Sequence, residues 1–459
     1  MKAIIGNIII IILLVNLPAS QSLAQENSSA WTLEKCISYA LEKNVQVQKS
    51  GLTNDRNQLN ADQAKLNRLP SLSASARQNF NWSKNLDPNT LEYTSSLYGS
   101  NSTSFSANSS VSIFNGLKTA NKIKQAELDL ESGKYNSEAI KESVSLSILN
   151  AFLQVLYNQE QVANAQKQIE ATTEQLALAG ERLNLSVISQ SDYLQIKSEL
   201  ATEKQTLANY QSQLSTAKVN LMQLMELPVD NNFTIVSPDI QNILNQNIQP
   251  NAQEIYNAAL GFKPQIKTAE LNKQSALLDE KIARADLMPS LSMDAGISTG
   301  YSKVKNSYNY DYSSQGNTFN FGEQLNNKIS PSVGISMSIP IFQKKQVKTN
   351  VELARIGLAD AELDEINTRN ELRKNIEQAC QDVVSVQTEY AAGQEQLDAQ
   401  QESYQVSTEK FKLGLLNSVD YLFEKTNLIT SESKFLQSKY TLIFNYKILD
   451  FYKGTPLSL

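Results

Sequence analysis

The sequence predicts an α+β membrane protein: β-strands that form part of a barrel, continued by long α-helices, in a chain built as an internal duplication of helix–strand–strand–long helix–helix. Three observations predict it. An apolar leader directs the chain to export, four segments alternate apolar and polar residues over a bilayer-crossing length, and two heptad-spaced stretches run further than a globular domain requires.

Composition removes most competing classes. The chain has 459 residues with only 16 Gly and 11 Pro, which favours long uninterrupted elements. Its 41 Lys+Arg against 47 Asp+Glu give a net charge of −6, the wrong sign for a nucleic-acid partner. Histidine is absent, which removes Ser-His and Cys-His catalysis and imidazole metal sites. No P-loop or other phosphate cradle occurs, so no enzymatic activity, cofactor or metal is expected and any energy must come from a partner.

Residues 1–24 read as a signal peptide. Met1-Lys2 is a short positive start, Ile4 to Leu17 is almost unbroken apolar chain, and Ser22 and Ala24 put small residues before a cut at Gln25. A transmembrane anchor would need about 20 apolar residues, and polar residues follow too soon. After the cut, nothing else reads as hydrophobic enough to span a membrane as a helix. Gln25 is not a cysteine, so a lipoprotein-type anchor is not supported. Cys36 and Cys380 are the only cysteines; the repeat sets them opposite Ile255 and Phe152, which favours buried thiols over a disulfide.

The duplication shows as self-similarity at fixed offsets. Leu69-Pro70-Ser71-Leu72-Ser73 returns as Met288-Pro289-Ser290-Leu291-Ser292, an offset of 219. Beyond the strands the offset becomes 228: Ile113-Phe114 matches Ile341-Phe342, Asp192-Tyr193-Leu194 matches Asp420-Tyr421-Leu422, and Pro228 matches Pro456. The halves are taken as 25–228 and 252–459, joined by a linker at 229–251, rich in Asn, Gln and Ile, that lies against the middle of the helices.

Strands are expected at 70–82, 104–114, 289–301 and 330–342. In the first, Leu72, Ala74, Ala76, Phe80 and Trp82 alternate with Ser71, Ser73, Ser75, Arg77, Asn79 and Asn81; in the third, Leu291, Met293, Ala295 and Ile297 alternate with Ser290, Ser292, Asp294 and Ser298. One face is apolar and the other mostly Ser and Asn, as a tilted membrane strand requires, with Phe80, Trp82, Phe105 and Tyr301 placed for an aromatic girdle. Four strands cannot close a barrel, so copies must join through their sheet edges. Three copies give twelve strands and room for a lumen, but sequence alone does not choose three over four.

The remaining stretches are helical. Val144, Ile148, Ala151, Val155, Asn158, Val162, Ala165, Ile169 and Thr172 step by four and three, as do Leu372, Ile376, Ala379, Val383, Val386 and Tyr390. Gly116 to Leu185 would make a rod of roughly 105 Å. Its many small and polar seam positions suit helices packed around a cavity better than a dry two-stranded rod.

This order of elements, the Pro-Ser-Leu-Ser strand openings and the turn Glu409-Lys410-Phe411-Lys412-Leu413-Gly414-Leu415-Leu416-Asn417-Ser418-Val419-Asp420 resemble the TolC family of outer-membrane efflux proteins over essentially all of the mature chain. The resemblance implies a homotrimer: a 12-stranded β-barrel in the outer membrane continued by an α-helical barrel through the periplasm. It implies a passive exit duct for a tripartite efflux or type I secretion system, with a periplasmic adaptor protein, an inner-membrane pump and outer-membrane lipid as partners.

Site residues follow residue by residue. The turns at 183–193 and 411–421, with Leu185, Ser186, Val187 and Ile188 in one and Leu413, Gly414, Leu415 and Leu416 in the other, match the family's adaptor-contact tips. Ser186 stands where glycine is usual. Asp192 and Asp420 match aspartates that ring the closed mouth; each also suits a helix N-cap or first turn. Phe411 and Leu416 replace a Tyr and an Arg that tie neighbouring helix pairs in some members, so closure is expected to rest on apolar packing, and like-charge repulsion to raise the aspartate pKa values. Phe423 is a further plug candidate or a seam residue. Lys118, Lys344, Lys345, Arg68 and Arg284 flank the strand ends, facing either lipid headgroups or solvent. The competing reading, a structural or adhesive periplasmic coiled coil with a surface hairpin, requires the dry seam this sequence lacks.

Overall fold

The computed structural model describes residues 30–84, 91, 93, 97–305 and 320–459. The leader at 1–24 and parts of both strand-joining loops lie outside them. Two short helices, α1 (Leu33–Lys43) and α2 (Val45–Leu66), precede strands β1 (Ser71–Ser83) and β2 (Tyr98–Phe114). Then come α3 (Lys118–Asn184) and α4 (Gln190–Leu224), a one-turn α5 (Gln241–Leu244), α6 (Ala252–Phe262) and α7 (Pro264–Ala285). Strand β3 (Ser290–Lys305), helix α8 (Phe321–Asn327) and strand β4 (Ser330–Ser338) follow, and α9 (Gln346–Lys412) and α10 (Ser418–Lys453) complete the chain.

The strands form one antiparallel sheet in the order β1-β2-β3-β4, with both edges open in the single chain. Cross-strand neighbours share a face, so the register sorts the side chains. Leu72, Ala74 and Ala76 lie level with Ser109, Ala107 and Phe105, and these with Ala295, Ile297 and Thr299. The opposite face is a ladder of small polar residues: Ser75 Oγ is 2.8 Å from Ser106 Oγ, and Ser292 Oγ 2.7 Å from Ser336 Oγ. β2 starts six residues before the expected 104. β4 stops at Ser338, short of the expected 342, because Pro340 has no N–H to give a ladder.

Each strand pair hands over to its long helix through two consecutive left-handed residues. Gly116 (φ 65°) and Leu117 (φ 67°) do this before α3; Lys344 (φ 50°) and Lys345 (φ 63°) do it before α9. Only the first needs glycine, since a Cβ on Gly116 would lie 2.9 Å from the Ala285 carbonyl oxygen.

α3 and α9 each have 67 residues, about 100 Å at 1.5 Å per residue. Their one large core lies where α1, α6 and the linker wrap them. It joins Ile148, Phe152 and Val155 of α3, Ile376 and Val383 of α9, Ile443, Tyr446 and Leu449 of α10, and Phe233, Ile235, Ile243 and Leu244 of the linker. Trp31 closes the wrap, its N–H donating to the Thr234 carbonyl at 2.9 Å and its own carbonyl accepting from Val236 at 2.9 Å. Cys36 and Cys380 are free buried thiols in this core, and burial pushes the Cys36 thiol up to about 12. One expectation is corrected: α3 contains an 18-residue stretch of mean hydropathy 1.2, apolar and long enough to cross a membrane, although 39% of it is buried inside the chain.

Candidate functional site

Beyond the core, the hairpins α3/α4 and α9/α10 run side by side to a pair of tip turns, and their chemistry changes from apolar to polar. Both turns end their helix with the same paired hydrogen bonds. Val187 N–H donates to the Arg182 carbonyl at 2.9 Å and Ser186 N–H to Leu183 at 2.9 Å; Leu415 donates to Lys410 at 2.9 Å and Gly414 to Phe411 at 3.1 Å. This termination needs a left-handed residue, supplied by Gly414 at φ 75° and by Ser186 at φ 57°. The serine there costs about 1 kcal/mol relative to glycine. Leu185, Val187, Leu413 and Leu415 are all exposed at the tips, while Ile188 and Leu416 are half-buried.

The next helices begin with matched caps. Ser189 accepts from Asp192 N–H at 3.1 Å and Asn417 from Asp420 N–H at 2.8 Å. Here the repeat breaks its symmetry. The first residue of α10 is Ser418, and its hydroxyl crosses to the other hairpin to reach Asp192 Oδ1 and Gln195 Oε1, whereas the matching first residue of α4 is Gln190. Asp192 is thus half-buried and bonded from two sides. Within the single chain, hydrogen bonds from Ser189 first and Ser418 second hold its carboxyl below the usual range. Asp420 stays exposed and bonds only within its own cap, to Asn417 Nδ2 at 2.9 Å.

Polar ties do link the hairpins, through residues other than the side chains of Phe411 and Leu416. Arg182 of α3 donates from Nη1 to the Phe411 carbonyl at 3.2 Å and from Nη2 to that of Lys412. An arginine does link the tips, from the other hairpin. One turn in, Tyr421 is fully buried: its hydroxyl is 2.6 Å from that of Tyr404 and accepts from Gln175 Nε2. One more turn in, Lys425 of α10 donates to Glu203 of α4 and to Thr172 of α3, an ion pair whose two side chains are 4% and 6% exposed. Glu199, one turn before Glu203, is pushed up by burial and by the Glu203 charge. Farther along, Gln168 Nε2 donates to Glu432 at 3.0 Å and Lys439 Nζ to Glu160 at 2.9 Å.

Of the apolar plug candidates, Phe411 packs inside the chain, its ring 4.7 Å from that of Tyr421 and inclined by 17°. Phe423 lies on the outside of α10, 63% exposed and one turn beyond Asp420. At the strand ends, Lys118 pairs with Asp286 at 2.6 Å and Arg284 with Glu280, while Lys344, Lys345 and Arg68 are exposed. Among the described residues no cluster of acids or thiols is placed to hold a metal.

Sequence reasoning missed Arg182, Ser418, Tyr421, Lys425 and Glu203. A signal existed for three of them: Ser418, Tyr421 and Lys425 step by three and four along one face of α10, so they share the seam.

Comparison with known proteins agrees with this architecture. The chain is 20% identical over 340 residues to outer membrane efflux protein BepC of Brucella suis biovar 1, covering 74% of this chain and 69% of that protein. It is 22% identical over 361 residues to outer membrane protein TolC of Escherichia coli, covering 75% and 68%. Its fold superposes on the crystal structure of CusC with a TM-score of 0.77 at 17% identity, over 94% of this chain and 96% of that one. The family model for outer membrane efflux proteins matches twice, at residues 36–226 and 255–450, and so the chain belongs to the outer membrane efflux protein family.

Proposed function

We propose that this chain is an outer-membrane exit duct of a tripartite efflux system, a passive conduit for substrates delivered by an inner-membrane pump. The observation that carries the reading is the sheet: one apolar face, one Ser/Asn face and two open edges, continuous with helices about 100 Å long. An open edge in hydrocarbon leaves backbone groups unpaired, so copies must close it together. Three copies give a 12-stranded barrel whose polar face lines a lumen and whose helices form a second barrel in the periplasm. The halves 25–228 and 252–459 are the two units of a duplication around an equatorial linker, a reading supported by the recurrence of element order and by the double family match.

The tips are the working end. Exposed Leu185, Val187, Leu413 and Leu415 form the surface on which a periplasmic adaptor docks, with Ser186 and Gly414 setting its shape. The two aspartates divide the gating labour. Asp192 is the latch partner of Ser418 within each chain; Asp420 and Phe423 line the mouth, one as a carboxylate ring and the other with Leu416 as the apolar constriction. Opening moves α9/α10 against α3/α4 and breaks the ties of Ser418, Arg182 and Lys425.

Single-channel recording of the purified protein in a planar bilayer tests the reading. A small, steady conductance that divalent cations block is expected; a protein that gives no conductance under any opening condition would overturn it.

A further inference from the structure

The strands differ in length in a way that leaves a gap at the subunit seam. β4 has nine residues and its last pair toward the loop end is Ser330 with Ser298, whereas β3 continues to Lys305. Helix α8 fills the space beside that extension. Thr299 Oγ1 donates to the Leu325 carbonyl, Ser302 N–H donates to Gln324 Oε1 at 3.1 Å, and the Phe321 ring lies 5.1 Å from that of Tyr301. A reciprocal cap fixes its start: Glu323 N–H donates to Asn320 Oδ1 at 2.9 Å and Asn320 N–H to Glu323 Oε2 at 3.0 Å.

The other open edge is β1, thirteen residues long. However β4 meets the β1 of the next copy, at least four residues of that β1 find no strand beside them. With the helix-side ends of β4 and the next β1 level, those residues fall at the loop end, where β3 outruns β4 and α8 stands. Both sides carry matching surfaces. Phe80 and Trp82, at the loop end of β1, stack at 6.5 Å and are 60% and 64% exposed. They share the apolar face with Thr299 and Tyr301, on which α8 leans. Phe321 is 48% exposed, and exposed Glu323, Asn326 and Asn327 offer polar groups to an unpaired backbone edge.

We propose that α8 is an intersubunit clasp. It covers the loop end of the next copy's β1 and joins its Phe321 to that copy's Phe80 and Trp82 in one aromatic belt, in place of the missing strand. The inference rests on the barrel assembly proposed above.

Cysteine cross-linking tests it. Within one chain, residues 82 and 321 are separated by β2 and β3, more than about 10 Å at the spacing of neighbouring strands, so a bond between them must join copies. The double variants Trp82→Cys/Phe321→Cys and Phe80→Cys/Phe321→Cys, oxidised or treated with a short bis-maleimide in the membrane, should convert most chains to covalent dimers and trimers. Each single variant controls for the buried native cysteines and should stay monomeric on a denaturing gel. Native mass spectrometry of the same samples separates the outcomes. A trimer without cross-links overturns the clasp and leaves the duct reading standing; a monomeric wild-type protein overturns the assembly itself.

Discussion

The Phe411 ring stacks on Tyr421 within one chain, 4.7 Å between centroids, while Tyr421 in turn bonds Tyr404 and Gln175. The Phe411 ring therefore packs within the α9/α10 hairpin, and Tyr421 carries the contact on to α3 through Gln175. The ring exposed on the outside of α10 is Phe423.

The buried Lys425–Glu203 pair makes the first prediction. Removing one partner strands a charge in the seam, a cost of about 3–5 kcal/mol, whereas replacing both with apolar residues is near neutral. Lys425→Met should lower the thermal midpoint in detergent and raise resting conductance. The double variant Lys425→Met/Glu203→Leu should recover both; a double variant as damaged as the single would show that the pair does not bind the hairpins.

Turn geometry makes the second. Ser186→Gly relieves a left-handed serine and should stabilise the tip by about 1 kcal/mol, and Gly414→Ala should destabilise it by a similar amount. Amide hydrogen exchange of the tip peptides should slow in the first variant and quicken in the second.

The third concerns pH. The folded-state pKa of Asp192 is depressed, so its contribution is present above the unfolded value and is lost only as pH falls through the lowered one. The Ser418 latch should hold throughout the neutral and mildly acidic range and yield only below the usual aspartate range. Ser418→Ala removes the latch itself along with one of the hydrogen bonds that depress Asp192, so conductance should already be raised at neutral pH and should change less on acidification than in wild type. An unchanged pH profile would mean that the latch does not control the mouth.

The two aspartates should separate in a fourth experiment. Asp192→Ala breaks the tie to Ser418 and should increase resting conductance. Asp420→Ala should leave that conductance nearly unchanged and weaken block by divalent cations, because an exposed carboxylate ring attracts cations without bracing the helices. Leu416→Ser should wet the constriction and raise conductance. Equal effects of the two aspartate variants would refute the division of roles.

Periodicity alone determined the element types, because alternation by two and stepping by three and four each leave one face to bury. It located β1 within a residue, from Leu72 to Trp82, and the long helices from their heptad seams. Fixed offsets in the sequence also paired Ser186 with Gly414 and Asp192 with Asp420. What pairing could not say is that the paired positions differ. Ser418 reaches across to Asp192 while its counterpart Gln190 makes no matching bond to Asp420, and Arg182 reaches the Phe411 carbonyl from a helix 229 residues away. Similarly, α8 was not legible, since seven residues are too few to show a period, and its place depends on β4 beginning only at Ser330, opposite Ser298, while β3 runs on to Lys305. Sequence pattern fixes which face of an element is buried; only packing decides which polar group meets which across the seam, because those contacts join residues with no local relationship in the chain.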